Sequence, residues 1–132
     1  MSFQPIKGTE QNKFTALPMA ASTTIVAGTA LAFTSGYLRP ATSSDKEVRY
    51  VALEDKVTAS GQNPLIRVVE TQGVTFIADA AANSARAAVG TKVDLSDATK
   101  IDASASTNDT FFIADTFGPA ANKQYIGYFT IS

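Results

Sequence analysis

The side chains able to do chemistry in this chain are few, and nearly all of them carry oxygen. The densest acidic cluster, DLSDATKID, places Asp94, Asp97 and Asp102 close together with Ser96 and Thr99 between them. Calcium would need about six to eight converging oxygens, and this spacing lacks the glycine and terminal glutamate of a loop built to supply them. Solvated strand ends and turns closed by an aspartate side chain explain the cluster more simply. Asp79, Asp109 and Asp115 could supply a carboxylate pair for acid and base work. Nothing in their spacing brings two of them together, so a carboxylate hydrolase is the one enzyme class the residues leave open.

There is no histidine and no cysteine among the 132 residues. The usual proton shuttle, the thiolate nucleophile and the commonest zinc ligands are therefore missing, and the expectation is a protein without catalysis, metal or cofactor. Gly28 and Gly90 each stand alone before a threonine, which does not make a phosphate loop; bulge or close-approach glycines in strands fit them better. Tyr125, Tyr128 and Phe129 could form a stacking platform for bases or sugars, or pack alternately into a core as a terminal strand.

Eleven basic residues against twelve acidic ones leave a net charge of -1, with no basic run that could neutralise a row of phosphates. Nucleic acid is accordingly not an expected partner. The longest charge-free stretch, Phe14 to Leu38, is interrupted by Pro18, Gly28, Gly36 and several Ser and Thr residues. Neither a signal peptide nor a membrane span is expected from it.

The elements that must position these side chains read as strands. Residues 1–23 have neither a two-residue nor a helical period and carry Pro5, Gly8 and Pro18 as breakers, so they read as an extended arm with Phe3, Ile6 and Phe14 spaced along it. From Thr24 the period becomes two. Ile25, Ala27, Leu31 and Phe33 fall on one face, and Val48 to Leu53 forms a second strand. LIRVVE (Leu65 to Glu70) and VTFIAD (Val74 to Asp79), separated by TQG, read as a hairpin. AAANSARAA, Ala80 to Ala88, is either a short helix or a surface loop with one helical turn. TKVDL, TFFIAD and QYIGYFTIS complete a set of about seven or eight short strands, which predicts an all-β domain, a small barrel or sandwich.

An internal plan repeats. Setting Gly28 on Gly90 pairs Thr29 with Thr91, Leu31 with Val93, Phe33 with Leu95, Tyr50 with Phe112 and Val51 with Ile113. Few of the paired residues are identical, so ancestry stays open. Three-stranded units of this size cannot bury their apolar faces alone, and one barrel from two related halves, 24–79 and 89–132, is expected.

The segments GTALAFTSGYLRPATSSDKEVRYVALED, NPLIRVVE, VGTKVDL and KQYIGYF together resemble the head decoration, or capsid cement, proteins of tailed bacteriophages. That resemblance implies an extended N-terminal segment leading into a small β-barrel or β-tulip domain over residues 24–132. It implies a virion structural protein that binds the outer surface of the assembled capsid. The partners would be the major capsid protein and the protein's own copies as a homotrimer, and the protein would occupy the host cytoplasm during assembly. Phe3, Pro5, Ile6 and Phe14 would be the contacts the arm makes with the shell. Two other readings stay open: a tail- or fibre-associated β-module, and a carbohydrate-binding module using Tyr37, Tyr50, Tyr125 or Tyr128.

Overall fold

The computed structural model describes residues 2–9 and 13–131. The chain opens with β1 (Phe3–Lys7) and β2 (Phe14–Pro18), followed by β3 (Thr24–Ile25), β4 (Ala30–Thr34), β5 (Tyr37–Pro40), β6 (Tyr50–Ala52), β7 (Lys56–Val57) and β8 (Leu65–Glu70). The second half holds β9 (Thr75–Asp79), β10 (Lys92–Asp97), β11 (Lys100–Asp102), β12 (Phe111–Thr116) and β13 (Gln124–Phe129). Short 3-10 turns at Arg86–Ala88 and Ala120–Asn122 are the only helical pieces among the described residues.

The protein is all-β, with thirteen strands in three antiparallel sheets among the described residues. One sheet runs β1-β9-β13-β12-β10-β11, a second runs β2-β8-β6-β4-β5, and β3 pairs with β7. Among the described residues no closed barrel forms, contrary to the sequence-based expectation of a barrel, and the strands outnumber the seven or eight foreseen. The five-stranded sheet curls until Met19, just beyond β2, makes a single parallel bridge to Leu38 of β5; Ala80, just beyond β9, makes the same kind of bridge to Ile101 of β11. Among the described residues each sheet thus meets itself at one corner.

The ladders run through the same order twice. The order β2-β8-β6-β4-β5 is matched strand for strand by β9-β13-β12-β10-β11. Ala30 lies opposite Val51 and Val51 opposite Val69; in the second unit Lys92 lies opposite Phe112 and Phe112 opposite Tyr128. Pro18 opposite Leu65 is matched by Asp79 opposite Gln124. The Gly-Thr pairs anchor both copies. Gly28 N–H donates to Ala52 and Gly90 N–H to Ile113, each at 2.8 Å, while Ala52 and Ile113 N–H return to Thr29 and Thr91, each at 3.0 Å. Gly28 and Gly90 hold φ of 87° and 89°, a region that costs any residue with a Cβ.

These contacts shift two boundaries. The units begin at β2 and β9 rather than at residues 24 and 89, and β8 and β9 are not a hairpin. Thr71, fully buried between them, donates its hydroxyl to Val48 O at 2.6 Å as the chain crosses from one sheet to the other. The registers also pair Val51 with Phe112, one residue away from the sequence alignment, because the chain from the Gly-Thr pair to the following strand is one residue longer in the first unit.

Burial follows from strand alternation, which sends successive side chains to opposite faces. Ala30, Ala32, Val51 and Val69 on one face of the five-stranded sheet join Phe76, Ala78, Val93, Leu95, Phe111, Ile113, Tyr125 and Phe129 in the main core. The opposite face contributes Leu31, Ala52, Ile66 and Val68 to a second cluster with Met19, Ile25 and Leu38. The five-stranded sheet is therefore a middle layer with apolar packing on both faces. Gly127 is required where β12 and β13 cross the main core, since a Cβ there would fall 2.0 Å from Phe112 O and 2.6 Å from the Phe111 ring.

Candidate functional site

The described part of residues 1–23 does not form a detached arm; residues 1 and 10–12 lie outside the described residues. β1 pairs with β9 and β2 with β8, so the segment supplies one edge strand to each large sheet. Phe3 is fully buried, its ring centroid 5.0 Å from that of Phe129 and 6.1 Å from that of Phe111. It fills the core of its own chain and cannot also serve as an anchor on a partner. Pro5 lies opposite Phe76 and is half-buried, whereas Ile6 and Phe14 are 45% and 57% exposed. Of the four residues expected to contact a shell, Ile6 and Phe14 are the two that present apolar surface.

The acidic residues have structural partners. Asp94 is buried and accepts the backbone N–H groups of Thr107, Asn108 and Asp109 at 3.1, 2.6 and 2.9 Å. The loop it shapes then meets the first unit, where Asn108 Nδ2 donates to Ser43 O and the Thr110 hydroxyl to Asp45 O. Asp97 accepts from Thr99, and Asp102 from Ser104, closing their own turns. Asp79 accepts from Gln124, and Asp115 is paired with Arg86. Asp109 takes φ 52° at the end of the loop that Asp94 holds. Among the described residues no group of three acidic side chains could hold a metal ion.

Electrostatics is equally local. Burial pushes the Asp45 carboxyl up, but hydrogen bonds from Arg39 and Thr42 outweigh it and leave the group below the usual carboxylate range. Asp97 follows the same balance, with Thr99 and Lys100 offsetting its burial. The Ser104 hydroxyl and N–H lower Asp102, and Arg86 lowers Asp115. No buried side-chain polar atom among the described residues lacks a hydrogen-bond partner.

The tyrosines divide. Tyr125 is buried, and its hydroxyl accepts the Ala85 N–H at 2.8 Å, so it belongs to the core. Tyr50 is half-buried and meets Phe33 edge-on at 5.9 Å. Tyr37 is 38% exposed; Tyr128 is 44% exposed and stacks on Phe112 at 5.0 Å with 26° between the planes.

The surface that sequence reasoning missed is the outer edge of β2. Four strands end the two large sheets, and three of them are protected. The Phe3 N–H of β1 is taken by Gly28 O at 3.0 Å, and Pro5 brings no N–H at all. β5 carries Arg39 and Pro40, and β11 has three residues, two of them charged. Charge, proline and shortness are the usual guards against strand addition. β2, FTALP, has no charged residue and only a terminal proline. Met19 N–H donates to Pro64 O and Glu70 N–H to Lys13 O, which directs the odd-numbered residues of β2 toward β8. By alternation, the N–H groups of Phe14 and Ala16 point outward. An open depression of about 560 Å³, lined by Phe14, Thr15, Ala16, Leu53 and Arg67, runs beside this edge. Strand pairing at an edge is invisible in a sequence, but a five-residue uncharged strand ending in proline was its available sign.

No protein-family model matches the chain, and no curated protein sequence matches it.

Proposed function

We propose that the protein is a virion structural protein that binds the outer surface of an assembled capsid and stabilises it, as the resemblance to phage head decoration proteins implies. The observation that carries this reading is an all-β body with exposed apolar side chains at or next to its sheet edges: Ile6 on the edge strand β1, Phe14 on the edge strand β2, and Leu65 on the neighbouring β8, the last two 57% and 58% exposed. Its acidic side chains are tied into turns and loops, which suits a contact protein better than a hydrolase. On this reading the partners are the major capsid protein and further copies of the chain, grouped as trimers on the shell. Many weak contacts repeated by symmetry then add up to firm attachment.

The test is co-sedimentation with capsids stripped of accessory proteins, using Ile6→Lys and Phe14→Lys. Deleting residues 1–23 would be uninformative, because it removes two strands and the Phe3 ring from the core. Saturable binding by the unaltered protein that either lysine variant weakens by about tenfold supports the proposal; that factor corresponds to about 1.4 kcal/mol. Absence of binding by the unaltered protein sinks it. The exposed Tyr128–Phe112 stack favours carbohydrate binding as a second reading. Saccharide binding that Tyr128→Ala abolishes would put it first.

A further inference from the structure

The internal repeat supplies a template for what the open edge of β2 receives. In the second unit the edge equivalent to β2 is β9, and it is not open: β1 lies along it antiparallel, with Phe3 opposite Ala78 and Gln4 opposite Ile77. Asp79 N–H completes the ladder by donating to Ser2 O at 3.2 Å. Aligned by their registers, Ala16 of β2 corresponds to Ile77 and Leu17 to Ala78. Among the described residues the first unit thus has the same edge without its added strand. The burial records the difference: β9 has Phe76 and Ala78 fully covered, while Phe14, Thr15 and Ala16 are exposed and Leu17 is half-buried.

The seat itself is not a copy. Phe3 meets the rings of Phe111 and Phe129, and Phe76 stands edge-on to Phe129 in the same cluster. The residues at the same register in the first unit are Thr15, Tyr50 and Glu70. Tyr50 and Glu70 lie directly opposite one another, and Phe33, 47% exposed, stands edge-on to the Tyr50 ring. No described lysine or arginine lies within ion-pair distance of the Glu70 carboxylate. An aromatic side chain suits the second seat. Two aromatic faces beside a carboxylate suit a basic one, whose stem covers the rings while its head meets Glu70.

We propose that the β2 edge is a strand-addition site for an extended segment of another polypeptide, bound antiparallel to β2 with a lysine or arginine opposite Leu17. The outward N–H of Ala16 and the neighbouring carbonyls supply the main-chain bonds. Alternate side chains of the segment enter the Tyr50–Glu70 seat and the depression between Phe14 and Arg67, the usual division between affinity and specificity in this mode of recognition. β1 cannot fill this role for its own chain, because it is already committed to β9 and carries phenylalanine at the deciding position.

The experiment uses the full chain and a capped synthetic peptide of residues 2–8 carrying Phe3→Arg, at millimolar concentration, with amide hydrogen exchange followed residue by residue. The expected result is that exchange at Ala16 slows by about tenfold with this peptide, and that Glu70→Gln removes most of the slowing. Unchanged exchange at Ala16 overturns the proposal. An equal response to the unmodified residue 2–8 peptide overturns the requirement for a basic residue. Slowing that grows with protein concentration alone, with no peptide present, assigns the edge to a second copy and overturns the segment as occupant.

Discussion

Replacing Phe3 by alanine separates a core role for the N-terminal strand from a contact role. The ring is fully buried and lies within aromatic contact distance of Phe111 and Phe129, so truncation leaves a cavity bounded by residues that belong to both the second unit and the five-stranded sheet. Phenylalanine-to-alanine changes in such settings cost about 3–5 kcal/mol. With a urea m-value of about 2 kcal/mol per molar for a chain of this size, the midpoint of unfolding should fall by about 2 M. Because β1 is an edge strand, amide exchange at Gln4, which pairs with Ile77, should accelerate before the rest of the sheet opens. Phe14→Ala is the matched control. That side chain is mostly exposed, and its loss should move stability by no more than about 0.5 kcal/mol. Equilibrium urea unfolding followed by far-ultraviolet circular dichroism measures both. A Phe3→Ala midpoint no lower than that of Phe14→Ala would refute the placement of Phe3 as a core residue and return residues 1–23 to the status of a free arm.

Three further outcomes follow from the packing and the charges. Gly127→Ala drives a Cβ into Phe112 O and the Phe111 ring, so the variant should lose more than about 3 kcal/mol or fail to fold, read from its thermal midpoint and soluble yield. Asp94→Ala leaves three inward-facing N–H groups without an acceptor, and a loss of about 3 kcal/mol with faster amide exchange at Thr107, Asn108 and Asp109 is expected. Asp45, Asp97 and Asp102 are more acidic folded than unfolded. Their contribution is complete above the unfolded value of about 3.9 and drains away as pH falls through the lower folded values; urea midpoints should therefore hold steady from neutral pH to about 5 and decline below about 4.

The strands written most plainly in the sequence were those packed on one face. β9 and β13 alternate cleanly, and burial on one side is what writes that alternation into a sequence, whereas β4 and β8, packed on both faces, showed as short apolar runs. β1 and β2 were not legible, because Pro5, Gly8 and Pro18 interrupt the period and an edge strand such as β2 is exposed along most of its length. Thr71 explains the false hairpin. TQG has the composition of a tight turn, yet its threonine is buried and tied to Val48, which turns the chain away from β8 into the other sheet. The repeat was legible through Gly28 and Gly90, whose backbone conformation only glycine adopts freely. Its register was not, since a one-residue difference in loop length slides one strand against its counterpart. The acidic cluster showed its turn-closing members but not Asp94, whose three donors lie on a loop more than ten residues further along the chain.

The crossed assignment of the first two strands also constrains how the molecule can be made. Phe3 finds its place against Ala78 and Phe129, both far from it in sequence, while β2 joins a sheet completed by residue 70. A chain emerging from the ribosome can therefore assemble its first sheet early, yet must keep Phe3 waiting until Phe129 has appeared. Contacts so distant in sequence make for slow final docking. Severing the chain between Thr71 and Val74 would give two pieces, one carrying a strand that only the other can use. The leading strand thus acts as a latch, closing last and coupling the two units into one cooperative transition.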